Sequence, residues 1–267
     1  MKWPTERERS VHQHKSAQWL AITDDIAEEV PVAFVYNGVS HVVMMATPND
    51  WHDFALGFSL TEGIINTAND LYAVEVVEDA EGVLLHIDIS SECFAKLKER
   101  RRNLTGRTGC GLCGAESLQQ AVRYPAPVEW ANVVDQQVIV DAFNQLTSKQ
   151  PLHLKTGATH AAAWADLQGR IHYVREDVGR HNALDKLVGA LSTAKINNTE
   201  GFVLLSSRMS YEMVQKTATF GVGLVVAVSA PTGLAIELGQ KTNVTLARCT
   251  KQNIVNVYTH VERILQR

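Results

Sequence analysis

Val30 to Tyr36 and Val39 to Ala46 are β-rich runs on either side of Asn37-Gly38. That dipeptide suits a type I′ turn, so the three pieces predict a β-hairpin. Pro48-Asn49-Asp50 then opens a segment in which Trp51, Phe54, Ala55 and Phe58 recur at the spacing of one helix face. A second hairpin is predicted from Ala73 to Val77 and Val83 to Ile89, followed by a helix capped at Ser90-Ser91 and bearing Phe94, Leu97 and Leu104. Thr105 to Gly114 contains four glycines and reads as a loop.

Arg123-Tyr-Pro-Ala-Pro-Val128 interrupts any helix or central strand and reads as a linker. Beyond it the pattern alternates. Strands are expected at 159–165, 171–175, 202–205 and 224–228, with helices at 180–194, 211–220 and 233–241. Such alternation implies an α/β layered sheet. The expected organisation is a flexible N-terminal segment (1–26), a smaller β-rich α+β domain (27–130) and a larger α/β domain (131–267), with a soft boundary near residue 130.

Composition narrows the function. A 267-residue chain with 45% hydrophobic residues can bury a substantial core. The first thirty residues are studded with charge and lack an apolar stretch, which argues against a secretory signal and for the cytoplasm. The longest apolar run, Val222 to Ala230, is far short of the ~20 residues that span a bilayer and reads as a buried strand. A net charge of -4 argues against nucleic-acid binding.

Cysteines occur at 93, 110, 113 and 249. So few thiols in a reducing compartment favour thiol chemistry or metal binding over a disulfide framework. Small residues flank Cys110 and Cys113, so the backbone can bend and the sulfurs can reach a partner. Lys96, Lys98, Arg100, Arg101, Arg102 and Arg107 stand against the single anion Glu99 just upstream. A positive field favours thiolate, which is nucleophilic at cellular pH and able to take up a sulfur atom as a persulfide. Two bland readings compete: a structural zinc site, which would need Cys93, Cys249 or a histidine as further ligands, and a solvated basic helix face. Thioredoxin-like exchange fits less well, because the pair lacks the aromatic and proline neighbours of that motif.

Polar clusters follow three strand edges in the second half. Glu176-Asp-Val-Gly-Arg-His181 begins a helix, where amides and Arg180 can hold a phosphate. His181 is four residues from both Asp177 and Asp185, and the latter can face it one turn on. Ser206-Ser-Arg-Met-Ser-Tyr-Glu212, with Ser207 and Arg208, repeats the arrangement, and Thr156-Gly-Ala-Thr-His160 is a third edge. A capping network is the competing account of these residues.

In order along the chain, Asn37 to Met45, Ala55 to Gly63, Gly106 to Gly114, Thr156 to Ala163, Glu176 to His181 and Ser206 to Val214 closely resemble the FdhD family. The resemblance implies a sulfur carrier or sulfurtransferase. In that role a cysteine desulfurase loads the loop, and the sulfur goes to the bis-molybdopterin guanine dinucleotide form of the molybdenum cofactor before insertion into formate dehydrogenase. It implies that Cys110 is the persulfide cysteine and Cys113 its partner. It also implies cofactor contacts from Cys249, Thr250, Lys251, Gln252, Asn253 and Ile254, although this stretch lacks the Gly and Arg often found there. A homodimer is expected on the same ground.

The family's larger domain is similar to cytidine deaminases, which raises a rival reading as a nucleotide hydrolase. Deaminases need His-x-Glu and Pro-Cys-x-x-Cys to hold zinc and move protons. Here His160-Ala-Ala162 lacks the Glu and Ser206 to Ser210 lacks the Cys, so no permanently bound metal is expected. A zinc-binding CxxC interaction module is the other alternative.

Overall fold

The computed structural model describes residues 3–105 and 124–266. Two hydrophobic cores form, one from residues between Val30 and Leu97 and one from residues between Val128 and Ile264. Leu60 packs against both.

The first core lies under a four-stranded sheet. Strands β3 (Val30–Tyr36) and β4 (Val39–Ala46) are the predicted hairpin. Asn37 and Gly38 both take positive φ, 44° and 80°, as a type I′ turn requires. Strands β5 (Leu71–Glu78) and β6 (Val83–Ile89) form the second hairpin, and β6 joins β3 in parallel. Helix α1 (Trp51–Thr61) lies against this sheet because Trp51, Phe54, Ala55 and Phe58 are buried together. Phe54 meets Phe34 edge-to-face, with centroids 5.1 Å apart. Helix α2 (Ser91–Thr105) starts where Ser90 Oγ accepts the Cys93 amide, and it runs directly into the segment that contains Cys110 and Cys113. Both cysteines lie outside the described residues.

The second core surrounds a six-stranded sheet, the α/β layered architecture expected. Its strands are β8 (His160–Asp166), β9 (Ile171–Asp177), β10 (Gly201–Leu205), β11 (Leu224–Ala227), β12 (Thr245–Cys249) and β13 (Val255–Val257). Their order is β13-β12-β11-β10-β8-β9. Helices α5 (Arg180–Thr193), α6 (Tyr211–Phe220) and α7 (Gly233–Lys241) connect them, within one residue of the predicted bounds. The alternating pattern did not identify helices α3 (Gln136–Leu146) and α4 (Pro151–Thr156), nor the pair β12 and β13. A short parallel pairing of β7 (Val134–Asp135) with β14 (Ile264–Leu265) closes the fold.

Most of the stretch expected as an N-terminal segment forms a two-stranded ribbon of β1 (Glu6–Lys15) and β2 (Gln18–Ala27), paired over all ten rows. Lys155 on α4 holds its base through Glu6 at 2.7 Å, and Arg7 pairs with Glu28 at 3.2 Å. The turn is made by Ser16 and Ala17, both at positive φ. No Asn-Gly or Asp-Gly signal announces it.

The two cores meet where α1 crosses α5. Gly57 and Gly189 permit the approach: a Cβ on Gly57 would fall 1.7 Å from the Asp185 carbonyl oxygen, and one on Gly189 would fall 1.9 Å from that of Asp53. Backbone lies on backbone at this crossing, so the smaller unit is pressed against the helix that opens the polar edge of the larger sheet.

Candidate functional site at one edge of the sheet

Strand β8 is antiparallel to both β9 and β10, and β10, β11 and β12 are mutually parallel. The C-terminal ends of β9 to β12 and the start of β8 therefore share one edge, the usual ligand side of an α/β sheet. All the predicted cofactor residues emerge there, and α5 and α6 present their first-turn amides to it.

Backbone pairing ties the near half of this edge together. His160 pairs with Asp177 in register, and the Ala161 amide donates to Ser206 Oγ at 2.7 Å. His181 Nε2 meets Glu212 Oε2 at 2.9 Å, linking the first turns of α5 and α6. Burial holds the pKa of His181 below the usual imidazole range against the raising effect of Glu212. His160 is also lowered, by burial and then by Arg180 and His153. Arg180 Nε is buried and finds no hydrogen-bond acceptor among the described residues.

Several predicted partnerships fall out differently. Asp177 accepts from the Thr47 and Gly179 amides, Asn182 and Lys186, while Asp185 accepts from Thr61 Oγ1 at 2.6 Å and from Lys216. Both carboxylates are therefore committed elsewhere, and His181 turns to Glu212. Glu176 is likewise consumed, because its carboxylate takes the Leu152 and His153 amides and Thr159 Oγ1. It caps the start of α4 from a neighbouring strand. The competing account, a capping network, holds for Glu176 and Asp177.

Midway along the edge, after β10, Ser207 is buried and its hydroxyl donates to the Arg208 carbonyl, whereas the Arg208 side chain is exposed. The turn after β12 lies farther off. Cys249 is fully buried, and desolvation pushes its thiol up to about 11, so it is no thiolate nucleophile. Thr250 organises the next turn by accepting the Gln252 and Ile254 amides on Oγ1, and Lys251, Gln252, Asn253 and Ile254 lie exposed. Four strand spacings of about 4.8 Å put this turn roughly 19 Å from the one bearing Arg180. One edge thus carries two clusters. A single compact anion pocket would not span them.

Sequence reasoning missed the two buried lysines between the two units. A cavity of about 240 Å³ is lined by Phe58, Glu62, His181, Asp185, Glu212 and Lys216, among others. Lys216 is buried there with Asp185, and Lys186 is buried nearby with Asp177. Neither lysine has a local signature, because each sits in a helix where lysine ordinarily marks the solvent face.

His160 opens β8, Ala162 lies two residues on, and Ser206 to Ser210 form the turn after β10. Among the described residues no three His, Cys, Asp or Glu side chains converge as a metal site.

The FdhD/NarQ family model matches residues 27–265. The chain belongs to this family. It is 51% identical over 261 residues to the sulfur carrier protein FdhD of Cupriavidus necator, covering 98% of this chain and 91% of that one. It is also 51% identical over 242 residues to the protein of the same name from Bordetella petrii, covering 91% and 87%. The crystal structure of a putative formate dehydrogenase accessory protein from Desulfotalea psychrophila superposes with a TM-score of 0.76 at 21% identity, covering 98% of this chain and all of the other. That structure speaks to the fold shared across the family. No described helix is long and apolar enough to cross a membrane.

Proposed function

We propose that this FdhD/NarQ-family chain is a cytoplasmic sulfur carrier. It accepts sulfur on Cys110 from a cysteine desulfurase and delivers it to bis-molybdopterin guanine dinucleotide before that cofactor enters formate dehydrogenase. The supporting observation is a sheet edge with two helix N-termini and an Arg180 Nε that lacks an acceptor among the described residues, in a chain whose curated relatives are named sulfur carriers. Such an edge suits the pyrophosphate of a dinucleotide, since helix amides and a guanidinium both favour phosphate oxygens.

Two thiols share the chemistry in this reading. The Cys110 thiolate attacks the terminal sulfur of the desulfurase persulfide; a new S–S bond forms on Cys110, the donor S–S bond breaks, and the donor cysteine leaves as thiolate. Release as sulfide requires two electrons. Cys113 supplies them by attacking the Cys110 sulfur, which expels hydrosulfide and leaves a Cys110–Cys113 disulfide for a cellular thiol to reduce. The cationic run from Lys96 to Arg107 favours the thiolate form throughout.

Incubation with a cysteine desulfurase and cysteine, followed by intact mass measurement, is expected to show one added sulfur. Cys110→Ala should abolish it. A persisting adduct in that variant would remove Cys110 from the role.

A further inference from the structure

Lys216, on α6, occupies an unusual position between the two units. Its ammonium lies 3.0 Å from Thr61 Oγ1, 2.7 Å from Glu62 Oε1 and 3.0 Å from both oxygens of Asp185. Thr61 and Glu62 are the last residue and the C-cap of α1, and Asp185 belongs to α5. One side chain therefore fastens the end of α1 to two helices of the large domain. Burial disfavours its charge, but Asp185 and Glu62 outweigh this and raise its pKa, so the ammonium persists.

The fastening leads in two directions. One turn back along each helix, Glu212 on α6 and His181 on α5 form the 2.9 Å pair at the phosphate-suited edge. Asp185 and Lys216 are the next rung of the same ladder. In the other direction, the carbonyl of Glu62 accepts Arg100 Nη1 at 3.3 Å. Arg100 sits on α2, five residues before that helix ends at Thr105, and the chain then continues to Cys110. A rise of about 1.5 Å per residue makes the remaining helical stem roughly 7.5 Å long.

We propose that Lys216 and Glu62 are positioning residues for sulfur delivery. Together they hold the stem from which the cysteine segment departs in fixed register with the α5 and α6 N-termini. This inference rests on the sulfur-carrier reading and adds to it the residues that align donor and acceptor. A role in delivery alone separates Lys216 from an ordinary buried ion pair. The first step, loading, takes place on a partner enzyme and does not require that register, whereas transfer to a cofactor held at the sheet edge does. Small misplacements of reacting groups are costly in rate.

The test separates the two steps in the full-length protein. Wild type, Lys216→Met and Glu62→Ala are loaded with a cysteine desulfurase and cysteine, and the added sulfur is counted by intact mass. The loaded proteins are then mixed with bis-molybdopterin guanine dinucleotide, and loss of the sulfur is followed over time. Both variants should load as wild type does and deliver about tenfold or more slowly, with Glu62→Gln, which keeps a side-chain oxygen for the ammonium, partly restored. Glu62 is partly exposed, so Glu62→Ala carries the test if Lys216→Met fails to fold. Unchanged delivery in Glu62→Ala overturns the inference, as does loading that falls in proportion to delivery. Failure of the wild type to take up any sulfur would instead overturn the carrier reading beneath it.

Discussion

Lys186 and Asp177 meet at 2.7 Å with neither side chain reaching solvent. The ammonium also donates to the Thr47 carbonyl at 2.9 Å and to Asn49 Oδ1 at 2.6 Å, in the connection between β4 and α1. Asp177 returns the contact by accepting the Thr47 amide. The pair thus knots the smaller unit to the strand that ends at the candidate site.

The two halves of this pair should respond unequally to mutation. Asp177→Asn leaves a buried ammonium without its paired carboxylate, and breaking a buried pair in this way costs about 3–5 kcal/mol. Lys186→Met leaves a carboxylate that keeps the Thr47, Gly179 and Asn182 donors, so its cost should be smaller. Urea unfolding of both variants checks the order. The reverse order, or two effects below about 0.5 kcal/mol, would contradict the account.

Gly57→Ala should destabilise although alanine is the better helix former by about 1 kcal/mol. The added methyl would meet the Asp185 carbonyl at 1.7 Å, and backbone cannot rotate aside. The helices must separate, which commonly costs about 1–3 kcal/mol. Gly189→Ala should behave alike, since it meets the Asp53 carbonyl. Thermal melting of each variant reads the sign, and a raised Tm would show that the crossing has slack.

The elements that local pattern controls were legible in the sequence. The Asn37-Gly38 turn, the apolar face of α1, and the bounds of α5, α6 and α7 all follow from spacing and turn chemistry. What escaped depends on distant residues. Helix α4 starts where Glu176, far along the chain, accepts its first amides. The β1–β2 ribbon turns on Ser16 and Ala17, which carry no turn signature. At the site, the Arg180-His181 turn was readable, but its partner Glu212 was not, because that contact requires α5 and α6 to be packed side by side. Asp185 looked like the partner of His181 from spacing alone, and only the fold hands it to Lys216 and Thr61.

Acid should weaken the fold through its half-buried imidazoles. Burial places the pKa of His181, and that of His160, below the unfolded value near 6.5. The folded state then binds fewer protons than the unfolded one, so stability falls as pH drops below about 6.5. His181→Gln removes one such group, and the Tm difference between about pH 8 and pH 5.5 should shrink. Glu212→Gln should widen it, because the Glu212 charge raises the His181 pKa. Unchanged pH dependence in both variants would mean that His181 does not titrate in this window.

Arg180 offers the sharpest probe of the edge itself. It is the first residue of α5, its Nε is buried without an acceptor among the described residues, and it lies close enough to His160 and His181 to lower both. An unused buried donor is costly unless a ligand completes it. Guanosine diphosphate supplies the pyrophosphate that such a donor would meet, so calorimetric titration with that nucleotide is the measurement. Arg180→Ala should weaken binding by about tenfold or more, the loss expected for a charge-assisted bond worth about 1.5–3 kcal/mol. Arg180→Lys should recover part of the affinity, since it keeps the charge but lacks the planar fork. Because Lys251 belongs to the separate far cluster, Lys251→Ala should have the smaller effect if the pyrophosphate sits at the α5 end. A larger loss for Lys251→Ala than for Arg180→Ala would move the phosphate site to the turn after β12.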